Sequence, residues 1–103
     1  MKGTIIDIEE LFWSIAEDLL SSRVEEGTMM GTRCLRVDGN FAAMVARQDW
    51  GLVVKLSADR VQELIAEGVG EPFAPAKKVF REWVSIPQPD ESLWRALMKE
   101  AVG

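Results

Sequence analysis

The stretch from Val24 to Leu56 constrains the fold more than any other part of the chain. Its apolar residues recur at every second position, and its interruptions are turn signals. Cys34, Leu35 and Val37 lead into Asp38-Gly39, and Phe41, Ala43 and Val45 alternate on the far side. Asp-Gly between two alternating runs predicts a two-residue hairpin, because glycine accepts the positive φ that such a turn demands. Gly27 and Gly31 flank Met29 and Met30 upstream; downstream, Arg47 to Gly51 reads as a second turn before a further strand at Leu52 to Leu56. The middle of the chain is therefore expected to be an antiparallel meander, with Phe41, Ala43 and Val45 on one face.

Helical periodicity brackets the meander. Asp7 and Glu10 have capping-box spacing, and Ile8, Leu11, Phe12, Ile15, Leu19 and Leu20 follow on one stripe, so residues 8–22 read as an amphipathic helix. Trp13 lies beside that stripe, where it either widens the buried face, the preferred reading, or marks a contact surface. Ser57 is placed to cap a second helix whose face is Val61, Leu64 and Ile65 and whose stop is Gly68. Gly70, Pro72 and Pro75 make the segment around Phe73 irregular, and residues 79–86 read as another strand, ended by Pro87 and Pro89. Asp90 caps a last helix carrying Leu93, Trp94, Leu97 and Met98. Consecutive strands rather than alternating βα units give an α+β class: an antiparallel meander sheet of about four or five strands, with three helices packed on one face. The 103 residues suit one domain, 1–103.

Catalytic chemistry is poorly provided for. With no histidine and no tyrosine, the chain lacks the commonest general base and metal ligand, and its single cysteine, Cys34, has no partner for a disulfide or a zinc site. Cys34 reads instead as a small core hydrophobe. No phosphate-binding glycine loop is present. Adjacent acids, Glu9 with Glu10, Glu17 with Asp18, Glu25 with Glu26, and Asp90 with Glu91, sit where helix caps and solvated faces are expected. The expectation is a protein that is not an enzyme, with no catalytic residue, no metal and no cofactor.

Lys and Arg number 12 against 17 Asp and Glu, a net charge of −5 that opposes non-specific attraction to nucleic acid or anionic lipid. No apolar run approaches the ~20 residues of a membrane span, and the acidic start is unlike a secretory signal, so a cytoplasmic location is expected. What remains is surface recognition. Lys77, Lys78 and Arg81 cluster after Pro75, Arg33, Arg36 and Arg47 lie in or beside the meander, and Trp50 is either folded back on the sheet or exposed as a binding anchor.

Taken together, GTMMGTRCLRVDGNFAAMV, LVVKL, the helix ending at Gly68, the EPF of residues 71–73 and the spacing of Trp83 to Pro87 resemble the TfoX N-terminal domain family, over about Gly27 to Val102. Residues 79–94 are also similar to the related MmcQ/YjbR family. The resemblance implies an α+β fold with an antiparallel sheet and a regulatory role; the second family adds a double-wing fold with presumed DNA binding. It carries over no catalytic residue. The expected function is a non-catalytic binding or regulatory module acting through protein contacts or self-association, ahead of a DNA-binding or transcription-associated one.

Overall fold

The Asp38-Gly39 turn sets the register from which the rest of the sheet follows. In the computed structural model, which describes residues 7–29, 31–45 and 50–103, Asp38 has φ 52° and Gly39 φ 83°. Positive φ at both central residues defines a type I′ turn, whose twist matches that of the strands it joins. It connects β2 (Thr32–Val37) to β3 (Asn40–Val45), with Val37 opposite Asn40. β1 (Val24–Met29) pairs antiparallel with β2, and β4 (Leu52–Lys55) with β3.

Beyond the meander lies a crossover. After α2 (Ala58–Ala66) the chain forms a two-residue strand, β5 (Glu71–Pro72), and then β6 (Trp83–Ile86), which inserts between β4 and β5. The sheet has six strands in the order β1-β2-β3-β4-β6-β5, every neighbouring pair antiparallel. The expected α+β meander is thus extended by two strands and closed at one edge by a strand that includes Pro72, a residue tolerated there because the outer edge needs no donor.

All three helices cover one face. α1 (Ile8–Leu19), α2 and α3 (Glu91–Val102) bury Phe12, Ile15, Val61, Leu64, Trp94 and Leu97 against Leu35, Ala43, Val45, Leu52, Val54 and Ile86. Each begins with a side-chain cap: Asp7 accepts from the Glu9 and Glu10 amides, Ser57 from Arg60 and Asp90 from Leu93. Trp94 is fully buried, and its indole N–H donates to the Gln88 carbonyl at 2.8 Å, so the ring is packed without an unpaired donor. Arg95 reaches Asp18 from α3 to α1, and Arg60 reaches Glu100 from α2 to α3. No helix among the described residues is long and apolar enough to cross a membrane.

Three sequence expectations need correction. The first helix stops at Leu19 rather than residue 22: Leu20 is already extended, and the Ser21 hydroxyl takes the amides of Arg23 and Val24, turning the chain into β1. Phe41 does not share a face with Ala43 and Val45. Leu35 pairs with Ala43 but Arg36 pairs with Phe41, so Ala42 is one residue too many and forms a β-bulge. Phe41 is thereby carried to the opposite face, beside Cys34, Met44 and Val53. Finally, β6 spans four residues rather than starting at Val79, because Phe80 bonds back to Phe73 and the Trp83 amide to Phe80 before the ladder begins.

Candidate functional site

The face opposite the helices is covered by an irregular strap, residues 73–82, between β5 and β6. Phe73 is its anchor, 2% exposed, packed with Cys34, Phe41, Met44 and Val53. The Trp83 ring stacks on Phe41 at 4.3 Å and on Phe73 at 5.6 Å, and Phe80 lies 5.0 Å from Trp83. Such ring pairs add about 0.5–1.5 kcal/mol each beyond the area they bury. The strap's backbone bonds are largely internal: Lys78 donates to Pro75, Phe80 to Phe73 and Trp83 to Phe80, while Leu56 donates to Glu82 at its end. Side chains, rather than a ladder, hold it on the sheet.

Lys77, Lys78 and Arg81 are all exposed on this strap, and among the described residues none has a carboxylate within 4.0 Å. Lys77 has φ 69°, a conformation unusual for a side chain other than glycine or asparagine. The Lys78 ammonium lies 5.9 Å above the Phe80 ring. Between the cations stands Val79, 58% exposed, one of two large hydrophobic residues left open to solvent among those described.

Trp50 joins the same cluster and resolves its two sequence readings into one geometry. It is half-buried, folded onto the strap with its ring 5.0 Å from Phe73 at 72°, and it keeps an accessible edge. Its position is fixed from behind: the buried Ser85 hydroxyl donates to the Trp50 carbonyl, and Gly51 adopts φ 65° against β6. A Cβ at Gly51 would stand 2.5 Å from the Ile86 carbonyl oxygen, so only glycine fits.

The other arginines among the described residues are engaged elsewhere. Arg33 pairs with Glu26 and lies 4.3 Å over the Trp13 ring, which is half-buried edge-on to Phe12. Arg36 donates to the carbonyls of Gly39 and Thr28, and Arg47 lies outside the described residues. Of the acids named from the sequence, Asp90 caps α3, Glu26 pairs with Arg33, and Asp18 and Glu91 both bind Arg95, whereas Glu9, Glu10, Glu17 and Glu25 make no ion pair among the described residues. Asp38 is held below the usual carboxylate range by its hydrogen bonds to Arg23. No three acidic or cysteine side chains among the described residues converge as a metal site. Two open hollows, of about 330 and 360 Å³, lie away from the strap, one at the end of α3 by Arg23 and Lys55, the other beside Trp13.

Sequence reasoning found Lys77, Lys78, Arg81 and Trp50 but missed Phe73, Val79, Phe80 and Trp83 as parts of one surface. A usable signal was present, since apolar residues interleave with the cations through residues 77–83. Comparison with protein-family models, curated proteins and solved structures finds no match to this chain.

Proposed function

We propose that the protein is a non-catalytic binding module that recognises a polypeptide through the strap. The observation carrying this reading is the composition of that one loop: three cations without a carboxylate partner among the described residues, set around exposed Val79 on a base of packed aromatic rings. Interfaces are enriched in aromatic residues and arginine, which Trp50, Phe80, Trp83 and Arg81 supply here beside exposed Val79, and charges left unneutralised within the fold are available to a ligand. The resemblance to the TfoX N-terminal domain supports a regulatory role.

A DNA-binding reading is favoured by the same three cations and by the similarity to the MmcQ/YjbR family. The net charge of −5 works against it. Three phosphate contacts limit the log-log salt slope to about −3 and leave non-specific affinity weak. The test sets two polyanions against the same surface in about 0.15 M salt, where the Debye length is about 8 Å. A labelled peptide of glutamates around one leucine is expected to bind saturably and to lose binding with Lys77→Ala, Lys78→Ala and Arg81→Ala combined. A labelled duplex is expected not to bind. Sub-micromolar duplex binding, lost in the triple variant, would replace the polypeptide reading with the DNA one.

A further inference from the structure

The strap's charge has a counterpart on the same molecule. On the helix-covered side, an open hollow of about 360 Å³ is lined by Asp7, Glu9, Glu10 and Glu17 around Trp13. Its one cation among the described residues, Arg33, is already paired with Glu26. Among the described residues, none of the four carboxylates has a cation within 4.0 Å. Three cations around Val79 thus lie on one side of the sheet and four carboxylates around Trp13 on the other, all without an ion-pair partner among the described residues.

We infer that the polypeptide recognised by the strap is a second copy of this chain, whose acidic α1 hollow receives Lys77, Lys78 and Arg81. This rests on the polypeptide reading above. Within one molecule the two surfaces lie on opposite faces of the sheet and cannot meet, so their complementarity can be satisfied only between copies. Because the contact joins two different surfaces, it is heterologous: each copy keeps a free strap at one end and a free hollow at the other, and growth does not stop at a dimer. The contacts are exposed and ionic, so association is weak and falls as salt rises.

Sedimentation equilibrium of the full chain tests this, with charge-reversed pairs as variants. In about 20 mM salt, where the Debye length exceeds 20 Å, the weight-average mass of the parent should climb past that of a dimer as protein approaches the millimolar range. It should return to the monomer in about 0.5 M salt. Lys77→Glu with Arg81→Glu should be monomeric alone, as should Glu10→Lys with Glu17→Lys, and mixing the two should restore association. Both variants keep a net negative charge, so bulk attraction cannot imitate the rescue. Asp59→Lys with Glu67→Lys, the same charge change as the hollow variant but on α2 and its C-cap, which line neither surface, should associate like the parent, and circular dichroism of each variant should match the parent.

A parent chain monomeric throughout, or association indifferent to both reversals, would overturn the inference. So would a mixture that stays monomeric although both variants are folded. If the glutamate peptide still binds the strap in any of these cases, self-association alone fails. If peptide binding is absent too, the polypeptide reading fails with it.

Discussion

The two faces of the sheet bury similar residues by different means. On one, three capped helices satisfy their own backbones and lay Phe12, Leu64 and Trp94 into a continuous core. On the other, ten residues of irregular chain hold Phe73 and Phe80 against Phe41 and Trp83, with almost no backbone bond to the sheet. The first arrangement buries its central residues completely and leaves only marginal ones such as Trp13 half-buried. The second leaves Trp50, Phe80 and Trp83 half open and puts Val79 in solvent. An antiparallel sheet can leave its second face to solvent, but here that face carries Cys34, Phe41, Met44 and Val53, and the loop that covers them leaves side chains exposed. Most of the buried core lies on the first face, and most of the exposed apolar and aromatic edge on the second.

Removing Trp94 gives the strongest test of that division. Trp94→Ala should lower stability by about 3–5 kcal/mol in chemical denaturation, as for other fully buried aromatic residues; a loss near 1 kcal/mol would mean that the helix face is not the main core. Gly39→Val acts on neither face but on the hinge between two strands that contribute to both. With open space around Gly39, the cost comes from its φ of 83° alone, about 1–3 kcal/mol. Both faces should loosen together, and a change confined to one would separate them into independent units.

Phe80→Ala should cost least, about 1 kcal/mol, because the ring is half-buried and full burial of a phenylalanine contributes about 1.5–3 kcal/mol. Its effect should appear instead at Cys34, which lies fully buried beneath the strap. Burial raises the Cys34 pKa, outweighing the opposite influence of Arg36, and the thiolate is the reactive form. In the folded protein the thiol therefore stays protonated at a pH where the unfolded chain has begun to ionise. Stability from this source is full below about pH 8.5, the free thiol's pKa, and is lost as pH rises through the raised value. Labelling of Cys34 at pH 8 should be slow in the parent and several-fold faster in Phe80→Ala. Equal rates would show that the strap does not gate that face.

The hairpin and the three helix starts could be read in the sequence because each depends on one or two residues with local physics: Asp38-Gly39 for positive φ, and Asp7, Ser57 and Asp90 for orphan amides. The bulge was hidden. Ala42 looks like any small strand residue, yet as the extra position it moves Phe41 from one face to the other. The strap was obscured for a similar reason: Val79 and Phe80 suggest a strand, and only tertiary contact with Phe73 shows that Phe80 turns back before pairing begins. Trp50 could be flagged from sequence but not oriented, since its position depends on Ser85, 35 residues away.

The strand order also governs when the molecule can form. β1 to β4 pair with immediate neighbours in sequence, so this meander can assemble while the chain is still leaving the ribosome. β5 is made before β6 but has no partner until β6 arrives, and β6 must enter the slot between two strands already synthesised. Closing that slot brings together positions such as Leu52 and Ile86, a non-local pairing of the kind that slows folding. Until then α2 lacks β5 and β6, the two strands it packs on, and Trp83 cannot stack on Phe41.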